Sequence, residues 1–323
     1  MNCHQCNGVV GIEDRFCEEC GANLLPDTSS SQVGASCQKC GATPDKIDID
    51  RYCNQCGHRQ VEVAEDTLQL DISPKLAGVS DRGRRHHQNE DAIALKIIDL
   101  QTHVLVVCDG VSSSQSPQLA SQAAANTCLL GIATALDSNL SPDTAITQGI
   151  AKALKAVSAI PLDPLDREEP SSTTIVTAIV RNNLATLGWL GDSRAYWIAK
   201  TNSQQLTQDD SWMREIVAAG QMTAAEAEQS PHAHAIVRWL GADISEAEAE
   251  PNLCNFSIPD SGYLLLCTDG LWNYAPDPTY LYHLIQQVTD DSPIAIANHL
   301  IQYANQQGGQ DNITVAILKL NPA

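Results

Sequence analysis

The chain has 323 residues, of which 43% are apolar and only 4% aromatic, with a formal charge of −20. That length and apolar share suit one large domain or two ordinary ones with mainly aliphatic cores. So acidic a balance argues against a general nucleic-acid or anionic-membrane binder, because either partner repels it. The start, "MNCHQC", lacks the basic-then-apolar pattern of a secretory leader, and no apolar run reaches the roughly 18 residues a membrane span needs. A soluble, cytoplasmic protein with no membrane partner is the expectation.

Eight of the twelve cysteines lie in the first 56 residues, as four C-x-x-C pairs. Cys3/Cys6 and Cys17/Cys20 are followed by Gly21, and Cys37/Cys40 and Cys53/Cys56 by Gly57. With no export signal, thiolates holding metal are expected in place of disulfides. Four thiolates from two knuckles close a tetrahedral Zn²⁺ site. With cysteine at every ligand position, the two zinc ions are structural, since neither keeps an open coordination site. The quartets resemble tandem zinc ribbons. Ribbons of about 20 residues have almost no core, so the metal supplies much of their folding free energy. His4 and His58 are read as solvent-facing. The layout is a ribbon over 1–24, a linker over 25–36 and a second ribbon over 37–58. A linker over 59–75 and a large domain over 76–323 follow. Residues 1–60 hold eight acidic and five basic residues. That negative balance favours docking to proteins, or regulation of the adjoining domain, over nucleic acid.

Beyond residue 76 the pattern becomes an α/β mixture. Strands are expected at 92–98, 103–108, 173–181, 184–190, 193–199, 263–268 and 312–319, which are rich in Val, Ile, Thr and Leu. Ala-rich 117–135 and 144–158 read as helices, as do 210–219, 279–289 and 293–306. Thr223 and Glu226 make a capping box for a short helix over 224–229. "NN" at 182–183 joins two strands as a hairpin. Hairpin-linked strands with helices in separate runs favour an antiparallel α+β fold. Cys108, Cys128, Cys254 and Cys267 stand alone in apolar contexts and read as small core residues.

Two of these strands run into Asp-Gly: "VLVVCDG" at Asp109-Gly110 and "YLLLCTDG" at Asp269-Gly270. A single Asp-Gly is a turn signal. A third acid in "GGQDNITVAIL", Asp311, and adjacent Glu90 and Asp91 in "HHQNEDA" call for more than turns. If these carboxylates converge, burying them unpaired is costly, and hard divalent cations relieve that cost. Two such cations could share a bridging Asp and a water that ionises near neutral pH and attacks phosphorus.

The order of motifs resembles the metal-dependent protein phosphatase family, type 2C, in its bacterial form. The matching segments are "SDRGRRHHQNEDA" (80–92), "VVCDGV" (106–111), "SSTTIVTAIV" (171–180) and "GWLGDSRAYWI" (188–198). "LTQDDSWMREIVAAGQMT" (206–223), "HAIVRWLGA" (234–242), "LLLCTDGLWN" (264–273) and "GGQDNITVAIL" (308–317) complete the set. The resemblance implies a sandwich of two antiparallel sheets flanked by helices, with two Mg²⁺ or Mn²⁺ ions in a cleft at one sheet edge. It implies hydrolysis of phosphoserine and phosphothreonine on phosphorylated proteins by a monomer. Asp109 would bridge the two ions and the Gly110 carbonyl would ligate one. Asp269 and Asp311 would hold the first ion, Glu90 would face the second through water, and Asp91 would steady the water shell. Asn312 would orient Asp311 or cap the next strand, and Asp192 would serve mainly as a structural turn residue.

Departures from the family pattern matter too. The arginine that clamps phosphate in many members is replaced by His86, so His86 or Arg85 is expected to meet the phosphate. Val111 stands where some members place a histidine after Asp-Gly, which leaves His86 or a metal-bound water to protonate the leaving oxygen. "SSSQS" at 112–116 replaces a Gly-rich segment. A third ion in bacterial relatives implies a further acid before Ser172-Thr173-Thr174, with Asp166, Glu168 and Glu169 as alternatives and Asp269 shared. "HAHA" at 232–235 lies in the segment that matches the flap beside the cleft, and its histidines are read as solvated rather than as a metal-binding pair. Two rival functions remain: a phosphatase fold that has lost turnover and binds, and a zinc-ribbon nucleic-acid regulator.

Overall fold

The computed structural model describes residues 37, 40–43, 46, 53–57, 67–162, 169–245 and 247–321. Contacts divide the chain into two units, Met1–Val63 and Ala64–Ala323. The first cysteine quartet, Cys3, Cys6, Cys17 and Cys20, lies outside the described residues, as do Asp166 and Glu168.

In the small unit, two knuckles face each other. Gly41 donates its N–H to Cys37 O at 2.8 Å, and Gly57 does the same to Cys53 O at 2.8 Å. Each of these glycines follows the second cysteine of its pair and sits at positive φ, 71° and 70°. A side chain there would be strained, so the turn selects glycine.

The large unit holds thirteen strands and seven helices among its described residues. They are β1 (Thr67–Ser73), β2 (Leu76–Asp81), β3 (Asp91–Asp99), β4 (Thr102–Asp109), α1 (Pro117–Asp137), α2 (Pro142–Ser158), β5 (Ser172–Thr173), β6 (Ile175–Arg181) and β7 (Leu184–Leu190). Then come β8 (Arg194–Ile198), β9 (Gln204–Gln205), α3 (Trp212–Ala218), α4 (Ala224–Glu228), β10 (Leu240–Gly241), β11 (Asn252–Ser257) and β12 (Gly262–Cys267). α5 (Asp269–Trp272), α6 (Pro278–Ile285), α7 (Pro293–Gln307) and β13 (Ile313–Leu320) close the chain.

One sheet runs β1-β2-β13-β12-β8-β9 and the other β11-β7-β6-β4-β3, while β10 and β5 form a small pair. Every pairing within the two large sheets is antiparallel. Alternation along β4 explains the layering. Val104, Val106 and Cys108 pack with α1 and α2, and Leu105 and Val107 pack between the sheets with Leu266 and Ala316. A third cluster buries α5–α7 on the outer face of the other sheet. The result is a four-layer αββα sandwich with both faces of each sheet covered, which is why central strands read as unbroken apolar runs.

Side-chain caps open most of the helices. Ser141 accepts from Thr144 N, Ser292 from Ala295 N and Asp277 from Tyr280 N, each ahead of a proline in the first turn. The Thr223/Glu226 capping box forms on α4. α1 is the one helix among the described residues long and apolar enough to cross a membrane, and its apolar side is packed in the core. The isolated thiols behave as core residues: burial pushes Cys128 up to about 12 and raises Cys108 and Cys267 further from reactivity.

Three of the longer strands escaped the sequence reading, and one of them, β2, is buried between β1 and β13. Residues 67–73, taken as the end of a connector, form β1, which pairs along β2. β11 alternates half-buried and exposed residues at the edge beside β7. β1 and β11 are edge strands whose side chains are half solvated, so their apolar signal is diluted.

Candidate metal centre

Five acidic positions reach one edge of the sandwich because five elements begin or end there. Asp91 opens β3 and Asp109 closes β4, and the ladder sets them directly opposite each other. On the facing sheet, β12 ends at Cys267, and Thr268 and Asp269 lead into the helical turn α5. Asp311 immediately precedes Asn312 and β13. Asp192 lies in the turn between β7 and β8. Thr268 Oγ1 donates to Asp91 Oδ2 at 2.9 Å, which ties the two sheets together at this rim.

The glycines of the two Asp-Gly pairs are fixed by close packing. A Cβ on Gly110 would stand 2.5 Å from Pro117 O and 2.7 Å from Glu90 O. A Cβ on Gly270 would stand 1.9 Å from Asn312 O. The backbones therefore approach more closely than any side chain allows.

Asn312 plays a larger part than its sequence reading. Its Oδ1 accepts from Glu90 N at 2.7 Å, and its Nδ2 donates to Arg82 O at 2.8 Å and Gln88 O at 3.1 Å. Instead of orienting Asp311, this side chain fastens the 82–90 loop that carries His86 and Glu90. Asp311 Oδ1 in turn accepts from the Asn312 backbone N at 2.8 Å. Glu90 is held from both sides, by Ser112 Oγ at 2.6 Å and Gln88 Nε2 at 3.3 Å. Ser112 belongs to the serine-rich stretch that replaces the expected glycines, and a hydroxyl within reach of Glu90 is what that change supplies.

The carboxylates crowd one another. Burial, then the charges of Asp91, Asp269, Asp192 and Asp311, push Asp109 well above the ordinary carboxylate range. Asp91 is likewise raised, first by burial. Asp269 is pushed up to about 6 by burial and Asp311, and Asp192 up to about 8 by burial, Asp269 and Asp209. Asp192 thus belongs to this cluster and is more than a turn residue. It is also the acid that stands beside Asp269, whereas Glu169 is exposed.

The donor set fits hard divalent cations. Asp91 Oδ1 and Asp269 Oδ1 are buried with no hydrogen-bond partner. Buried anionic oxygens left in that state are costly unless a cation satisfies them. Among the described residues, the cysteine quartet is the one set of three or more His, Cys, Asp or Glu ligand atoms gathered within 4.8 Å of one another.

Of the sequence-derived residues, Glu90, Asp91, Asp109, Gly110, Asp269 and Asp311 meet at this rim. His86 joins them, with Nε2 3.1 Å from Asp311 Oδ1. Arg85 is exposed and makes no ion pair among the described residues. Arg194 was not singled out beforehand, although it sits in the Gly-Asp-Ser-Arg segment. Its guanidinium grips Asp209 at 2.7 Å and lies 3.7 Å from the Trp272 ring centre, bracing the α5 turn from outside. His232 and His234 pack on different tryptophans, Trp212 and Trp272, so they do not form a shared ligand pair.

An α+β sandwich of two antiparallel sheets with a ring of acids at one edge defines the class, a metal-dependent phosphohydrolase of the type 2C architecture. The profile of the protein phosphatase 2C family matches residues 80–300, and the chain belongs to that family of serine/threonine phosphatases. It is 29% identical over 246 residues to the serine/threonine phosphatase stp of Listeria welshimeri, covering 75% of this chain and 94% of that one. Among solved structures it is similar to the PPM Ser-Thr phosphatase MsPP of Mycobacterium smegmatis in complex with cacodylate. That likeness has 27% identity, a TM-score of 0.59 and coverage of 77% and 99%. The fold also matches the catalytic domain of the phosphatase PstP in complex with two manganese ions, with 24% identity, a TM-score of 0.55 and coverage of 79% and 100%.

Proposed function

We propose that this phosphatase holds two Mn²⁺ or Mg²⁺ ions with the carboxylates at the sandwich edge and hydrolyses phosphoserine and phosphothreonine on proteins. Asp109 would be shared by the two ions, the Gly110 carbonyl would ligate one of them, Asp269 and Asp311 would hold the first, and Glu90 would face the second through water. Asp192, beside Asp269, is the acid available to a third. Ions bound there activate water and neutralise charge on the phosphoryl oxygens. The observation that carries this reading is the pair of buried, partnerless oxygens on Asp91 and Asp269 within a cluster of mutually repelling acids.

The protein's own groups do the rest. Asp91 sits behind Asp109, its other oxygen held by Thr268. There it would add negative charge to the donor set and steady the water shell of bound ions. Asn312 and Ser112 fix Glu90 against recoil. His86, positioned by Asp311, donates to a phosphoryl oxygen and, when protonated, gives its proton to the serine or threonine oxygen as the P–O bond breaks. Arg85, at the exposed lip, is free to meet acidic groups of the phosphoprotein.

For the small unit, the proposal is a structural zinc on Cys37, Cys40, Cys53 and Cys56, and a second on Cys3, Cys6, Cys17 and Cys20. Cys37 Sγ and Cys56 Sγ lie 3.7 Å apart, as do Cys40 Sγ and Cys53 Sγ. Tetrahedral zinc with bonds of about 2.3 Å sets neighbouring sulfurs about 3.8 Å apart. The ribbons dock protein partners or regulate the phosphatase of a cytoplasmic monomer, and do not bind nucleic acid.

The test is phosphate release from a phosphothreonine peptide by the full chain. Turnover should require Mn²⁺ or Mg²⁺ and fall by about 100-fold or more in Asp109→Asn. Undiminished turnover of Asp109→Asn would refute the assignment.

A further inference from the structure

The chain has 39 acidic residues, yet residues 82–89, "RGRRHHQN", and 293–310, "PIAIANHLIQYANQQGGQ", contain none. The fold packs these two segments against each other beside the acid cluster. Arg84 donates its N–H to Gly309 O at 2.7 Å. A Cβ on Gly309 would stand 2.7 Å from Arg84 Cγ, so the arginine stem lies directly on the glycine. Gly83, at φ 73°, is seated as closely on Asp311, where a Cβ would stand 2.0 Å from the carbonyl oxygen. The backbone of Arg84 is thus fixed next to a member of the acidic rim.

Its guanidinium is not used inside the protein. Arg84 and Arg85 are both exposed, and neither side chain has an ion pair or hydrogen bond among the described residues. Arg194 and Arg238, by contrast, are tied to Asp209 and Asp210. Asp81, three residues before Arg84, is already engaged by Thr67 Oγ1, Gly83 N and Asn305 Nδ2. Beyond Gly309 the surface turns aromatic. Tyr274 Oη accepts from Gln310 N at 3.1 Å, and Tyr303 Oη donates to Tyr274 O at 3.3 Å. Tyr280 meets Tyr303 edge to face with ring centres 6.0 Å apart, and is 42% exposed. Asp277 is occupied in capping α6, where it accepts from Tyr280 N. Arginine and tyrosine are enriched at protein-binding surfaces, and here they run outward together from the rim.

We infer that this strip, from Arg84 across Gly309 to Tyr274 and Tyr280, receives the phosphoprotein's own chain beside its phosphorylated residue, and that Arg84 selects glutamate or aspartate there. The inference rests on the phosphatase reading. A protein of charge −20 repels an acidic substrate at long range. An unpaired guanidinium at the rim reverses that locally, and its planar fork fits a carboxylate. The adjoining tyrosines give amphipathic contact to residues further along the same bound chain.

The test measures kcat and KM of the full chain, loaded with Zn²⁺ and Mn²⁺, on phosphothreonine peptides of equal length. One carries glutamates before the phosphothreonine, one carries them after it, and one carries none. At low salt, at least one acidic peptide should exceed the neutral one about fivefold in kcat/KM, mainly through KM, and high salt should remove the difference. Arg84→Gln keeps the stem on Gly309 and should abolish that preference, with turnover of p-nitrophenyl phosphate unchanged within about twofold. Tyr280→Ala should raise KM about threefold for every peptide and leave p-nitrophenyl phosphate unaffected. A merely structural effect of either variant would lower turnover of all substrates alike. The inference is overturned if neither acidic peptide surpasses the neutral one, if the preference survives in Arg84→Gln, or if peptide KM is unmoved in Tyr280→Ala. A parent chain that fails to turn over p-nitrophenyl phosphate would instead overturn the phosphatase reading itself, and this inference with it.

Discussion

Replacing Asp269 by asparagine should uncouple stability from catalysis. In the metal-free protein, burial and Asp311 push Asp269 up to about 6 from an ordinary 3.8. Keeping it ionised at pH 8 therefore costs the fold about 3 kcal/mol, at about 1.4 kcal/mol for each pH unit between the two values. Asparagine has the same shape and no charge. Its Oδ1 still accepts from Asn273 Nδ2, a bond of 3.1 Å in the parent, and its amide faces Asp109 as a donor. The metal-free variant should melt about 6 °C higher than the parent at pH 8, given about 2–4 °C per kcal/mol for a domain of this size. It should also lose most of the stabilisation that Mn²⁺ gives the parent, and metal-dependent turnover should fall by about 100-fold or more. Scanning calorimetry with and without Mn²⁺, paired with phosphopeptide turnover, reads all three. A metal-free variant that melts lower than the parent, or one that keeps full turnover, would refute the electrostatic reasoning.

Other outcomes follow from the same geometry. Asp192, raised to about 8, and Asp269, raised to about 6, stabilise the metal-free fold fully only below their ordinary values, and that contribution disappears as pH rises through 6 and then 8. The melting gain from Mn²⁺ should therefore grow steadily between pH 5.5 and 8.5, and a gain independent of pH would contradict the cluster. Asn312→Ala strands Glu90 N, Arg82 O and Gln88 O, so it should cost about 3 kcal/mol and lower kcat/KM by about tenfold, measured by urea unfolding and peptide turnover. A chain lacking residues 1–63 should keep the phosphatase turnover and melting point of the parent's large unit. One lacking 1–75 loses β1, including the Gln69–Asn298 bond and the packing of Leu70, and should melt several degrees lower. Equal melting of the two truncated chains would show that β1 is dispensable.

Much of this protein is legible in its linear sequence because its signals are local. Apolar runs in β4, β6 and β12 announce covered strands, capping residues mark the helices, and the C-x-x-C-G spacing encodes two knuckles whose glycines take positive φ. Asp-Gly at a strand end points to the rim before any fold is known. What a sequence conveys poorly is which distant groups face each other. Asn312 reads as a neighbour of Asp311, yet its side chain spans to a loop more than two hundred residues earlier. Asp192 reads as a turn residue, and burial beside Asp269 makes it one of the cluster. β1 and β11 hide as edge strands because a half-solvated face dilutes the apolar pattern. Residue types and spacing determined the chemistry available to this chain. Only the docking of one sheet upon the other decided which carboxylates share a low-dielectric edge, since charge interactions depend on distance through space and on burial, neither of which sequence separation records.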